Sequence, residues 1–209
     1  MKKMLNMAIT FLLTTGVSVM IQSKDTKEKK AAQNRLQKAP FARGCFWCME
    51  PPFDNLPGVI STTVGYTGGH VPHPTYEEVS TGKTGHLEAI QIEFDSTKIG
   101  YQELLEIFWM NIDPTNSSGQ FADYGSQYRT AIFYHNPKQK RLAEESRAQL
   151  ARSGKFDKPI VTEILPAEEF YPAEDYHQEF YKKNPWRYYN YKVGSGRAGY
   201  LKEKWEKEK

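Results

Sequence analysis

The nine residues His86-Leu87-Glu88-Ala89-Ile90-Gln91-Ile92-Glu93-Phe94 set the tightest limit on the fold. Apolar side chains at 90, 92 and 94 recur with period two, the spacing of a strand with one buried face. Glu88 stands in the same row. A carboxyl group that ends a buried row is partly desolvated, which raises its pKa and keeps it protonated nearer neutrality. The pattern therefore makes Glu88 a general-acid candidate, against the alternative of a strand-end glutamate turned to water.

Around this strand the chain alternates without strict regularity. Residues 39–43, 59–66, 129–134 and 160–165 read as further strands. Residues 101–110 carry Leu104, Leu105 and Phe108 at helical spacing, and Pro137 opens a helix to about 152. Shorter helices are expected over about 50–56 and in the tyrosine-rich segment 173–183. The connection 67–76 is fixed by glycines and prolines. The connection 111–128 is polar and long for a compact domain, a length that often carries function. Such alternation predicts an α/β (α+β) sandwich, a mixed sheet flanked by helices, rather than a doubly wound sheet.

The chain has 209 residues and two cysteines, Cys45 and Cys48, within Gly44-Cys45-Phe46-Trp47-Cys48-Met49-Glu50. Any thiol chemistry happens there. A cysteine of ordinary pKa is only a few per cent thiolate at neutral pH, so a reactive one needs help. Arg43 beside a turn at Gly44 is one source of help, and a helix N-terminus is another. Pro51-Pro52 weakens the second, because prolines are tolerated only in a first helical turn. Two cysteines three apart close a very short ring, which suits redox cycling better than structural stapling. The rival readings are a pair of small buried hydrophobes and a zinc site built from Cys45, Cys48, His70 and His73, whose spacing is poor.

Composition narrows the rest. Hydrophobic residues make up 39%, enough for one well-buried domain, and a net charge of +3, with lysines gathered near the two ends, gives no argument for nucleic-acid binding. Lys2 and Lys3 precede a mostly apolar run from Met7 to Ile21, the order of a signal peptide or N-terminal anchor. This reading places a leader at 1–22, a charged linker at 23–39 and the catalytic domain at 40–209. It implies an exported or periplasmic location, with a membrane tether as a variant and an amphipathic cytosolic extension as the rival.

Gly44-Cys45-Phe46-Trp47 followed by Glu50 resembles the signature of the peptide methionine sulfoxide reductase A family. The resemblance continues through Gly65-Tyr66-Thr67-Gly68-Gly69, Pro74-Thr75-Tyr76, Thr84-Gly85-His86-Leu87-Glu88-Ala89, Tyr124-Gly125-Ser126-Gln127-Tyr128-Arg129 and Tyr171-Pro172-Ala173-Glu174-Asp175-Tyr176-His177-Gln178. It implies a ferredoxin-like core and reduction of methionine S-sulfoxide, free or in oxidised proteins. It makes Cys45 the nucleophile and Glu88 the acid near the sulfoxide oxygen. Tyr76 and Tyr128 become phenolic donors, Asp123 a further polar group, and Phe46 and Trp47 the walls around the substrate methyl group. Many members carry glycine at the position of Cys48 and keep their recycling cysteines in a C-terminal tail. This chain has none after Cys48, so the resemblance assigns Cys48 as the resolving thiol, in the branch with Cys-Phe-Trp-Cys. It implies no bound cofactor and no metal, an external dithiol such as thioredoxin as reductant, and a monomer. A general thiol-disulfide oxidoreductase is the competing enzyme class, and a zinc-held binding module the competing non-enzyme class.

Overall fold

The computed structural model describes residues 35–205. The leader read at 1–22 and most of the linker lie outside them. Two units divide at Leu36: Met1–Leu36, almost all outside the described residues, and Gln37–Lys209, which carries the fold. Strand β1 (Leu36–Arg43) begins within the stretch read as linker. Its start is pinned where the Lys38 carbonyl accepts from Gln139 Nε2 at 2.9 Å, a long-range contact with no local sign.

Seven more strands follow in chain order: β2 (Val59–Thr67), β3 (Leu87–Asp95), β4 (Gly119–Gln120), β5 (Asp123–Tyr124), β6 (Thr130–Tyr134), β7 (Glu163–Pro166) and β8 (Tyr171–Pro172). Six of the eight strands form one sheet in the order β7-β6-β1-β3-β2-β8, while β4 and β5 pair separately. The β1–β6, β2–β3 and β2–β8 pairs are antiparallel, and β6–β7 is parallel. The sheet is therefore mixed. Its central order β6-β1-β3-β2 is the split arrangement of a ferredoxin-like core, the fold implied by the family resemblance.

The helices are α1 (Tyr76–Ser80), α2 (Tyr101–Trp109), α3 (Pro137–Arg152), α4 (Phe180–Lys183), α5 (Pro185–Gly194) and α6 (Arg197–Trp205). Period-two alternation sorts the sheet into two faces. On one, Ala39, Phe41, Val64, Ile90, Ile92, Phe94 and Ile132 join Leu104, Leu105 and Phe108 of α2 and Ala143 and Leu150 of α3 in the main core. On the other, Ala42, Leu87, Ala89, Ala131 and Phe133 are covered by Leu165, Ala167 and Phe170. Cys45, Phe46 and Met49 belong to the first face, so the thiol motif is built into the main core.

Two expected elements differ, and two helices are unexpected. The helix at 50–56 is a run of turns, with Phe53 N–H donating to the Glu50 carbonyl at 2.9 Å and Leu56 N–H to that of Phe53 at 3.1 Å. Pro51 and Pro52 supply no donors, and Pro52 disfavours a helical Pro51. The helix at 173–183 shrinks to α4. Ahead of it the Gln178 side chain bonds the Val64 backbone through Oε1 and Nε2, at 2.9 Å each, and Glu179 is left-handed at φ 51°. Tethering to the sheet edge wins over local helix preference. Finally, α5 and α6 have no counterpart in the sequence reading, which proposed no element beyond 183.

Candidate active site

Cys45 sits where β1 leaves the sheet. Gly44 makes that exit with φ +83°, and a Cβ there would lie 2.5 Å from Cβ of Gln120. Only glycine satisfies both demands. Residues Phe46–Cys48 then form a 3-10 turn, closed by Cys48 N–H donating to the Cys45 carbonyl at 3.2 Å. Both cysteines are buried free thiols at the two ends of this turn.

The backbone of the turn also fixes the acid. Phe46 N–H donates to Glu88 Oε2 at 3.0 Å, which holds the carboxyl of β3 against the residue following Cys45. Glu88 is 1% exposed, so its side chain is not turned to water. Burial, with a smaller push from Asp123, raises it to about 8, while the Phe46 N–H works the other way. It is therefore mostly protonated at neutral pH. With Oε2 accepting from Phe46, Oε1 is left to carry the proton.

Tyr76 and Tyr128 come from distant segments. Tyr76 opens α1, whose Thr75 and Glu78 form a capping box, and its N–H donates to Glu174 Oε1 at 2.9 Å. Tyr128 ends a second 3-10 turn, Ser126–Tyr128. Both phenols are raised by burial, and both feel the charge of Glu88 and of Cys45. That coupling places the two phenols, the carboxyl and the thiol in one neighbourhood.

Asp123, in β5, stands on another side of Cys45. It accepts a short hydrogen bond from the Tyr191 hydroxyl, and that hydroxyl also bonds the Cys45 thiol. Sequence reasoning missed Tyr191, because α5 carries no buried residues and shows no apolar stripe. The available signal was Asn184-Pro185 as a helix opening, with Tyr188 and Tyr191 one turn apart.

Phe46 and Trp47 lie in an aromatic cluster. The Phe46 ring is 4.5 Å from His177, 6.0 Å from Tyr66 and 6.3 Å from Tyr76. Trp47 stacks on Phe180 at 3.9 Å and meets Tyr191 edge-on at 5.7 Å. Its indole N–H donates to His177 Nδ1 at 2.9 Å. Burial lowers His177 to about 4, so the ring stays neutral and keeps that acceptor. Glu50 of the motif faces away and accepts from Glu179 N–H at 3.0 Å, anchoring the segment that carries His177.

One electrostatic expectation is overturned. Burial first, then Glu88, Cys48 and Asp123, push the Cys45 thiol well above its ordinary range, with Tyr191 the opposing hydrogen bond. Arg43 does not relieve it. Its guanidinium donates to the Met49 carbonyl at 3.1 Å and acts on Cys48, whose thiol burial raises while Arg197, Arg43 and Lys192 oppose. Cys45 also precedes only a three-residue 3-10 turn, too short for an appreciable helix dipole. Nor does the zinc alternative find its ligands. Among the described residues no three His, Cys, Asp or Glu side chains gather as a metal site, and His73 packs edge-on against Tyr171 at 5.1 Å.

A buried thiol faced by protonatable acids and walled by aromatics can attack a polarised centre whose oxygen takes up protons. The family model for peptide methionine sulfoxide reductase matches residues 37–209. Peptide methionine sulfoxide reductase MsrA of Bacillus subtilis (strain 168) is 61% identical over 167 residues, 80% of this chain and 94% of that protein. Its namesake from Bacillus licheniformis is 58% identical over 167 residues, 80% of this chain and 92% of that protein. The solved methionine sulfoxide reductase A of Corynebacterium diphtheriae is 37% identical, with TM-score 0.65, over 72% of this chain and 76% of that chain. A match that takes in every strand from β2 onward, together with relatives this similar along nearly their whole length, shows that the chain belongs to the peptide methionine sulfoxide reductase family.

Proposed function

We propose that this enzyme reduces methionine S-sulfoxide, free or within oxidised proteins, to methionine, with Cys45 as nucleophile and Cys48 as resolving thiol. The observation that carries the reading is the Phe46 N–H bond to Glu88, which holds beside Cys45 a carboxyl that burial keeps mostly protonated. A sulfoxide sulfur is a poor electrophile until its oxygen gains a proton. The sulfoxide methyl group sits against Phe46 and Trp47, whose faces suit a polarisable sulfur and methyl. The oxygen then faces Glu88, Tyr76 and Tyr128.

The proton balance uses both sides of the thiol. As Cys45 Sγ bonds the sulfoxide sulfur, its own proton passes to the Tyr191 hydroxyl, which hands one on to Asp123. Glu88 supplies a proton to the oxygen, and the phenols hold the developing charge. The oxygen then bonds Cys45 Sγ as the bond between the two sulfurs and the substrate S–O bond break, which leaves a sulfenic acid on Cys45 and releases methionine as the thioether. Cys48 condenses with the sulfenic acid to a disulfide and water. An external dithiol of the thioredoxin type then returns both thiols. The short Cys45–Cys48 turn supports this assignment, and a general thiol-disulfide oxidoreductase would have no use for three acids converging on one thiol. The charged and apolar pattern of residues 2–21 supports an exported setting for this repair of oxidised proteins.

Cys48→Ser separates the steps. That variant is expected to release about one methionine per chain and then stop when thioredoxin is the reductant. The test is a burst measurement followed by steady-state turnover, and unimpaired thioredoxin-driven turnover would remove Cys48 from the resolving role.

A further inference from the structure

Cys48 opens on a different space from the acids. It lines a pocket of about 280 Å³ whose wall includes Arg43, Asn111, Tyr188, Lys192 and Arg197, and none of Cys45, Glu88, Tyr76 or Tyr128. The two arginines are each 1% exposed. Their donors go to carbonyls alone. Arg43 reaches Met49 O at 3.1 Å and Asn111 O at 3.4 Å, and Arg197 reaches Asn111 O at 2.9 Å and Arg43 O at 3.3 Å. Nε of each is buried without a partner. Among the described residues no carboxylate lies within ion-pair distance of either.

Two buried like charges with no carboxylate in ion-pair contact are expensive to hold together, and Asp123 is a carboxylate that feels Arg197 from farther off. Ring faces compensate in part, with Phe121 4.4 Å from Arg197 and Phe53 5.7 Å from Arg43. Arg43 is lowered to about 9 by burial and by Arg197, yet it remains charged at neutral pH. A partly exposed lysine, Lys192, adds a third cation at the rim. Forked guanidinium donors match a carboxylate, and the sulfur in the same wall matches a thiol. The volume falls at the lower end for small-molecule sites, which suits a molecule of few atoms.

We propose that this pocket admits a low-molecular-weight thiol bearing a carboxylate, which reduces the Cys45–Cys48 disulfide by attacking the Cys48 sulfur. The inference rests on Cys48 being the resolving thiol. The incoming thiolate bonds Sγ of Cys48, the Cys45–Cys48 bond breaks, and Cys45 leaves as a thiolate that takes a proton through Tyr191. A second molecule of the same thiol attacks the sulfur of the first. That step releases Cys48 and a small-molecule disulfide, so two thiols are oxidised as the protein gains two electrons and two protons. The carboxylate lies against Arg197, Arg43 and Lys192 in both steps.

The test uses the full chain oxidised with diamide, so that no sulfoxide is involved. Its disulfide is reduced by mercaptoacetate, 2-mercaptoethanol or cysteamine, with rates expressed per thiolate and followed by acid quench, alkylation and mass measurement. Mercaptoacetate should act about 10-fold or more faster than 2-mercaptoethanol, the scale of charge steering into a cleft, and cysteamine slowest. Added salt should shrink the advantage. Within Lys192→Glu and Arg197→Leu the ratio should fall toward one. The wild-type salt dependence needs no variant, and Lys192 is partly exposed, so a misfolded Arg197→Leu would not rescue the idea. Equal rates, fastest reduction by cysteamine, or a mixed disulfide trapped on Cys45 would overturn it. Charge selectivity in a chain that releases no methionine from methionine sulfoxide would keep the pocket and sink the reductase reading. Two thiols that diamide fails to join would overturn both.

Discussion

Cys45→Ser is expected to lose turnover altogether, with methionine release falling on the order of 10⁶-fold, the scale of deleting a nucleophile from a site that acts as a unit. A serine hydroxyl at this buried position has no base strong enough to ionise it. The carboxylate that takes the thiol proton through Tyr191, Asp123, is too weak a base to ionise an aliphatic hydroxyl, and Glu88 is mostly protonated. Nor does an oxygen on serine have a counterpart of the sulfenic acid, so oxygen transfer stops at the first bond. Single-turnover assays of the reduced variant with methionine sulfoxide measure this directly. Substantial methionine from that variant would move the nucleophile elsewhere, and only Cys48 would remain to supply it.

The second large effect belongs to Glu88. Glu88→Gln keeps the size and an acceptor for the Phe46 N–H while removing the proton that the oxygen needs. The first step should slow by about 10²- to 10⁴-fold, the range for lost acid catalysis. The pH dependence carries a sign as well. Glu88 is raised to about 8, so the acid form is present below that pH and is lost as pH rises through it. In the free enzyme the rate of the first step should therefore decline above about pH 8, and Glu88→Gln should lack that decline. A variant with the wild-type rate and the wild-type descending limb would mean that another group delivers the proton.

Much of this site is legible in the chain before any coordinates. Glu88 is the clearest case, because three apolar residues at period two announce its burial and burial sets its chemistry. Cys45 and Cys48 announce themselves by spacing. What is not legible is which charge faces which thiol. Arg43 stands two residues from Cys45 in sequence, yet its buried side chain runs to the Met49 and Asn111 carbonyls and acts on Cys48. That outcome follows from the path taken after Gly44, a turn whose positive φ is visible as a glycine but whose close packing on Gln120, 76 residues on, is not. Tyr191 is invisible for a related reason. The helix α5 that carries it buries no residue and serves the site by reach alone, so no periodic pattern marks it. The helix expected at 173–183 fails because the Gln178 side chain trades helix for the edge of β2, a contact 114 residues apart.

The measurement that bears most directly on the reading is a thiol titration of the pre-reduced protein before and after excess methionine sulfoxide, without reductant and with methionine followed in parallel. Loss of both thiols as methionine appears, one methionine for each pair, is the expected result, because it links the Cys45 attack to the Cys45–Cys48 disulfide in one stoichiometry. Two thiols that persist while no methionine forms would contradict the assigned chemistry at its first step.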